Sequence, residues 1–268
     1  MTALAQIIAQ FPAVGLVLGG VVGLLGGSFL NVVIGRLPAI ALDDSLQERW
    51  PRALISPASH CPACEQPIRA RHNVPVIGYL LLRARCHDCA APIPLRYPMV
   101  ELTGGLLGVA TVWALGFTLP ALALGVFVLS LLALAVIDLD HQILPDQIVL
   151  PMLWLGLVVN AFSLLTAPAD AILGAATGFA ALTAIRLAYL KVRGVEGMGQ
   201  GDAKLAAMVG AWLGLQAVMT SLLLAFVIGT LVACTAIALK RMTSDQRMPF
   251  GPAIAAGAFA AAMGVNFY

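Results

Sequence analysis

The chain has 268 residues, of which 60% are hydrophobic and only 10% charged, with a mean hydropathy of +0.95. No soluble domain of this size hides so much apolar surface within itself, which excludes a water-soluble enzyme and implies a polytopic membrane protein. The net charge of +2 is small and unevenly spread, so nucleic acid is not an expected partner; the basic clusters suit anionic membrane lipid.

A membrane span needs roughly 20 apolar residues. Eight candidates follow in chain order: Phe11–Ile34, Met99–Phe117, Leu119–Ile137, Gln147–Leu165, Ala171–Leu190, Ala203–Leu215, Ala217–Leu239 and Pro252–Asn266. The first ten residues carry no Lys or Arg, so no basic leader region precedes the first run, which reads as a retained span. The sixth candidate is short, about 20 Å of helix at 1.5 Å per residue, and the basic residues supply its support. They fall in three clusters, from Arg36 to Arg96, from Arg186 to Lys204, and from Lys240 to Arg247. If positive charge stays inside, an even number of crossings separates neighbouring clusters, and two must lie between Lys204 and Lys240. Both termini then lie outside the cytoplasm. Asp138, ending the third span, and Asp202, opening the sixth, emerge together on the cytoplasmic face. The expected architecture is all-α: a first span over residues 1–38, a cytoplasmic loop over 39–98 and a seven-span core over 99–268.

The loop contains CPAC (Cys61, Cys64) and CHDC (Cys86, Cys89), with 21 residues between the pairs. Such paired knuckles place four thiolates around a tetrahedral Zn²⁺, and two disulfides are the other reading. A loop facing a reducing cytoplasm favours zinc in a small zinc-ribbon-like module, since so polar a segment builds little core of its own. His60, His72 and His87 are competing ligands, but four cysteines already close the shell, which marks the metal as structural.

Asp138 ends the apolar run LLALAVID, and Asp202 follows alternating Gly197, Gly199 and Gly201 in GMGQGDAK. An ionisable group at membrane depth is costly to keep and points to function. Two carboxyls sharing a proton hydrolyse a peptide bond: the ionised one takes a proton from water while the protonated one polarises the carbonyl. The glycines, Gly199 and Gly201 above all, let the backbone approach an extended substrate closely. The same aspartates fit a proton relay in a coupled transporter, the rival reading. Asp140 and Asp146, in the polar connection DLDHQILPD, suit capping or solvent exposure, with Pro145 and Asp146 opening the fourth span. Glu101, and Ser28 with Asn31 one turn apart, are polar at membrane depth; helix–helix hydrogen bonding and function both account for them.

The chain resembles the type IV prepilin peptidases, bifunctional leader peptidases and N-methyltransferases of bacterial pilus and type II secretion systems. The likeness rests on GSFLNVVIGRLP (from Gly27), both CxxC knuckles, NVP (from Asn73), RYPMVELTGG (from Arg96), DLDHQILPD, GMGQGDAK and PFGP (from Pro249), in the family's order. It implies a GxGD-type intramembrane aspartic peptidase of the bacterial inner membrane, with Asp138 and Asp202 as the catalytic pair. It further implies that prepilins or pseudopilins lose a short basic leader after a glycine, and that the new N-terminus is methylated from S-adenosylmethionine. No GxGxxG turn after a strand stands in the sequence, so that donor needs a site made from the N-terminal motif, the loop and neighbouring spans.

Overall fold

Seven long helices carry the computed structural model, which describes residues 11–47, 50–56, 58–195, 197–241 and 248–264. They are α1 (Pro12–Leu42), α2 (Arg96–Leu115), α3 (Leu119–His141), α4 (Asp146–Ala161), α5 (Pro168–Arg193), α6 (Gln200–Ala238) and α7 (Gly251–Gly264). Among the described residues there is no β-strand, only two isolated bridges in the loop. Five of the helices, α1, α2, α3, α5 and α6, are long and apolar enough to cross a membrane; α4 and α7 are apolar but shorter. The protein is a multi-pass, all-helical membrane protein. Arg247 and the end of the expected eighth span, to Asn266, lie outside the described residues.

The chain divides into two compact units, Met1–Leu129 and Ser130–Tyr268, with the boundary inside α3. In the first, α1 packs on α2 through a stripe of glycines four residues apart. Gly15, Gly19, Gly23 and Gly27 are all buried on α1. A Cβ on Gly27 would lie 2.8 Å from the Glu101 Cα, and one on Gly104 only 3.1 Å from the Gly27 Cα. Lipid tails are as apolar as leucine, so helices in a membrane associate by such backbone-to-backbone approach. Helix α1 does not stop at Ile34: it continues through Pro38 to Leu42, and buried Leu37, Pro38 and Ile40 hold its last turns in place.

In the second unit α6 is not one rod. Gly214 has φ +85° and ψ −179°, a conformation open to glycine and rarely to other residues. A Cβ placed on Gly178 of α5 would lie 2.6 Å from Ala206 O and 3.0 Å from Val218 Cγ2. Twelve residues of unbroken helix would hold Ala206 and Val218 about 18 Å apart, so the chain folds back at Gly214. The turn separates the two spans expected at Ala203–Leu215 and Ala217–Leu239, although the short polar connector usual between spans is absent.

Asn160, fully buried at the end of α4, locks this turn. Its Nδ2 donates to Ala211 O (2.8 Å) and Trp212 O (3.0 Å), and its Oδ1 accepts the N–H groups of Leu165 (3.1 Å) and Thr166 (3.0 Å). Four bonds from one amide satisfy backbone groups that an apolar interior would otherwise leave unpaired. Replacing Asn160 with Leu is expected to destabilise the protein by about 2–4 kcal/mol, at about 1 kcal/mol per lost bond. A fall in the thermal midpoint of the detergent-solubilised protein is the readout; an unchanged midpoint would show that the turn holds without Asn160.

Candidate active site and metal centre

Asp138 lies in the last turn of α3 and Asp202 in the first turn of α6, at 5% and 8% exposure. Although 64 residues apart in sequence, the two carboxyls come within Coulombic reach of each other. The connection after α3 explains how. Leu144 packs on Gly201, where a Cβ would lie 3.0 Å from the Leu144 Cβ, and Lys204 Nζ donates to both Asp146 carboxylate oxygens at 2.7 and 2.8 Å. The DLDHQILPD turn is thus docked on the first turn of α6, carrying Asp138 towards Asp202. Asp146 opens α4 behind Pro145, as its position after a proline suggested, while Asp140 is exposed.

Each aspartate faces the start of a helix. Asp202 is the third residue of α6, and the N–H of Gly199, the residue before the helix, bonds back to its carboxyl, half of a capping box. Asp138 Oδ2 accepts the N–H of Gly251, the first residue of α7, at 2.8 Å within the protein interior. A helix N-terminus presents unpaired N–H groups, so each buried carboxyl has a backbone donor beside it without a basic side chain.

Gly251 is the site residue that sequence reasoning missed. A Cβ there would lie 2.7 Å from Asp138 Oδ2 and 3.2 Å from the Asp138 Cβ and Cγ. Phe250 anchors the same segment, its ring tilted against Phe226 with centroids 5.2 Å apart. The PFGP motif carried this signal, but no spacing rule links Gly251 to a residue 113 positions earlier. Gly251→Ala pushes the Asp138 carboxyl aside, and misplacement by about 1 Å costs a catalytic group roughly 100-fold. Leader cleavage is expected to fall by that order while the helical circular dichroism spectrum is kept; wild-type cleavage would show that the carboxyl tolerates the shift.

The three glycines before Asp202 differ in what they allow. Gly197 packs on the Tyr189 ring, which a Cβ would meet at 2.5 Å, and Gly201 lies under Leu144. At Gly199 a Cβ would meet Asp202 Oδ2 at 3.6 Å, an ordinary contact that leaves the backbone open beside the carboxyl.

In the first unit the four cysteines converge, all Sγ atoms lying within 4.8 Å of one another. Cys61 and Cys89 Sγ are 3.8 Å apart, the edge of a tetrahedron whose zinc–sulfur distance is about 2.3 Å. The two knuckles are conformational copies. Cys61 N–H donates to Gln66 O and Glu65 N–H to Cys61 O; Cys86 N–H donates to Ala91 O and Ala90 N–H to Cys86 O. Glu65 and Ala90, each just after the second cysteine of its pair, both take φ of 58°. Backbone N–H groups of Ala63 and Cys64 aimed at its sulfur pull the Cys61 thiol down to about 7, whereas burial and the neighbouring thiols push Cys64 and Cys89 up. His72 and His87 stay out of the cluster and stack with centroids 5.0 Å apart. This donor set fits a structural zinc ion.

Two polar residues of α1 and α2 are also placed. Asn31 Nδ2 donates to Tyr97 O at 3.1 Å, and Glu101 Oε2 accepts the N–H of Val76, just past the NVP motif, at 2.7 Å. Hydrogen bonding within the unit accounts for both.

Two family models match the chain: the bacterial peptidase A24 N-terminal domain over residues 21–115 and the type IV leader peptidase family over residues 125–234. Proteins called prepilin leader peptidase/N-methyltransferase match almost end to end. That of Stutzerimonas stutzeri is 40% identical over 93% of this chain and 91% of its own length. The chain belongs to the type IV leader peptidase family. The Pseudomonas putida relative is 42% identical over 97% of this chain and 95% of its own, and the Neisseria gonorrhoeae relative 39% identical over 88% and 86%. No solved structure matches. Both aspartates fall inside the stretch matched by the leader peptidase model, and all four cysteines inside the N-terminal one.

Proposed function

We propose that the protein is an intramembrane aspartic endopeptidase that removes the basic leader of type IV prepilins or pseudopilins after a glycine, at the cytoplasmic face of the bacterial inner membrane. The observation that carries this reading is that Asp138 and Asp202, two buried carboxyls on the ends of different helices and each facing a helix N-terminus, lie within Coulombic reach of each other. One carboxylate takes a proton from water as the hydroxyl attacks the scissile carbonyl carbon. The other, protonated, hydrogen-bonds the carbonyl oxygen and then gives its proton to the leaving amine. The open backbone at Gly199 holds the substrate extended beside Asp202, whereas Gly201, covered by Leu144, serves to seat the turn. A prepilin enters by its apolar segment with its basic leader left among the cytosolic charges, where charge counting along the sequence puts both aspartates. Cys61, Cys64, Cys86 and Cys89 would hold a zinc ion whose closed shell of four sulfurs suits a structural role.

The relatives' names add a second activity, N-methylation of the new N-terminus. S-adenosylmethionine, when bound, would supply the methyl group for that nitrogen. The test of the peptidase reading is cleavage of a purified prepilin by Asp138→Asn and Asp202→Asn proteins, and undiminished cleavage by either rejects it.

A further inference from the structure

A short helix, Ile77–Leu81, stands between the two cysteine knuckles in the Met1–Leu129 unit. Its Ile77, Leu80 and Leu81, spaced i, i+3 and i+4, share one face and are 55%, 66% and 69% exposed. The opposite side is tied down: Pro75 and Gly78 are buried, and a Cβ on Gly78 would collide with His72 O. Large aliphatic side chains thus point out of a segment whose small ones point in. We propose that this face is a membrane anchor, lying in the boundary of the lipid leaflet on the loop's side with Ile77, Leu80 and Leu81 among the acyl chains and Arg83 and Arg85 on anionic headgroups.

Depth comes from Glu101. Helix α2 has 20 residues, about 30 Å of helix and the thickness of a hydrocarbon core. Its first residue, Arg96, therefore sits at the boundary, and Glu101, five residues on, lies about 7–8 Å farther in. Val76 N–H donates to Glu101 Oε2 at 2.7 Å, which pins the start of the short helix at that level and not out in the water. Interfacial helices bury their apolar faces by about 5–10 Å, the same depth. The chain turns sharply at Val76 to make this bond: its φ is +61°, left-handed backbone that a β-branched residue rarely takes.

Charge names the lipid. From Arg69 to Arg96 the chain carries five arginines and one acidic residue, Asp88, which pairs with Arg69 at 3.7 Å. Arg83 and Arg85 follow directly on the apolar face and are exposed. A basic run beside a membrane favours phosphatidylglycerol and other anionic lipids over zwitterionic ones. The basic leader of a prepilin is repelled by the same residues, so the leader is a poor occupant for this surface.

Photolabelling of the full-length protein in nanodiscs of mixed phosphatidylcholine and phosphatidylglycerol tests this, with Leu80 replaced by a diazirine-bearing amino acid and adducts read by mass spectrometry. Leu80 is exposed, so its replacement should leave the melting temperature unchanged; the same label in place of Ile77 gives a second reading from the same face. Adducts are expected on lipid, with phosphatidylglycerol taking roughly twofold or more above its share of the bilayer. Arg83→Gln combined with Arg85→Gln should bring that share down to the bulk composition while lipid adducts persist. Adducts chiefly on water, on an added prepilin or on a second copy of this chain overturn the proposal. So do lipid adducts that hold phosphatidylglycerol at no more than its bulk share. None of these readouts requires leader cleavage, so the result stands apart from the peptidase reading.

Discussion

Asp138→Asn and Asp202→Asn are each expected to cut leader cleavage by 10²–10⁴-fold or more, the range for loss of a general acid or base. Asparagine keeps the size and most of the hydrogen bonding of the side chain but neither takes nor gives a proton. The double variant should be no slower than either single one, because two groups sharing one task lose it together. Both variants should melt at or above the wild-type temperature, since a buried amide costs less than a buried carboxylate. Asp146→Asn is the internal contrast. It removes a carboxylate from the same connection, but one 48% exposed and paired with Lys204, an interaction worth about 0–1 kcal/mol. Most cleavage should survive it. Equal losses at positions 138, 202 and 146 would mean that the turn matters and the acid pair does not; mass spectrometry of the released leader distinguishes the outcomes.

The parts of this molecule that could be read from sequence are those encoded locally. Apolar run length marks the helices, and the knuckle spacing marks Cys61, Cys64, Cys86 and Cys89. The aspartates stood out because ionised groups are rare beside such runs. Even the fold-back in α6 was legible, through the parity of the basic clusters, although hydropathy alone left its first limb too short. What stayed hidden depends on partners distant in the chain. Gly251 matters only because α7 brings its N–H to Asp138, and Asn160 only because its amide reaches Ala211 and Trp212. Asn160 did leave a trace, as the single amide in the apolar run from Ile148 to Leu165. The extension of α1 through Pro38 was hidden for another reason: proline is a poor helix former inside a helix, and burial of its neighbours outweighs that preference here.

Removing the metal should have the next largest effect, because the loop has almost nothing else to fold around. Between Leu42 and Val100 only Leu54 and Cys61 are buried hydrophobic residues among those described. The hydrogen bonds that shape each knuckle are short-range turns, and Glu65 and Ala90 sit in left-handed backbone that costs energy outside glycine. A zinc ion on the four sulfurs would supply the energy to hold them, since its apparent binding free energy in small Cys/His modules is about 10–16 kcal/mol at neutral pH. Cys61→Ser and Cys86→Ser should therefore each lower bound zinc from one ion per chain towards none, as read by elemental analysis. They should also open the loop to limited proteolysis between the two knuckles, while the helical signal of the membrane spans persists. A chelator should reproduce the protease sensitivity in wild type, and added zinc should reverse it. A loop that stays protease-resistant after complete removal of the metal would show that the four sulfurs gather for another reason, with oxidation to paired disulfides then tested by thiol counting.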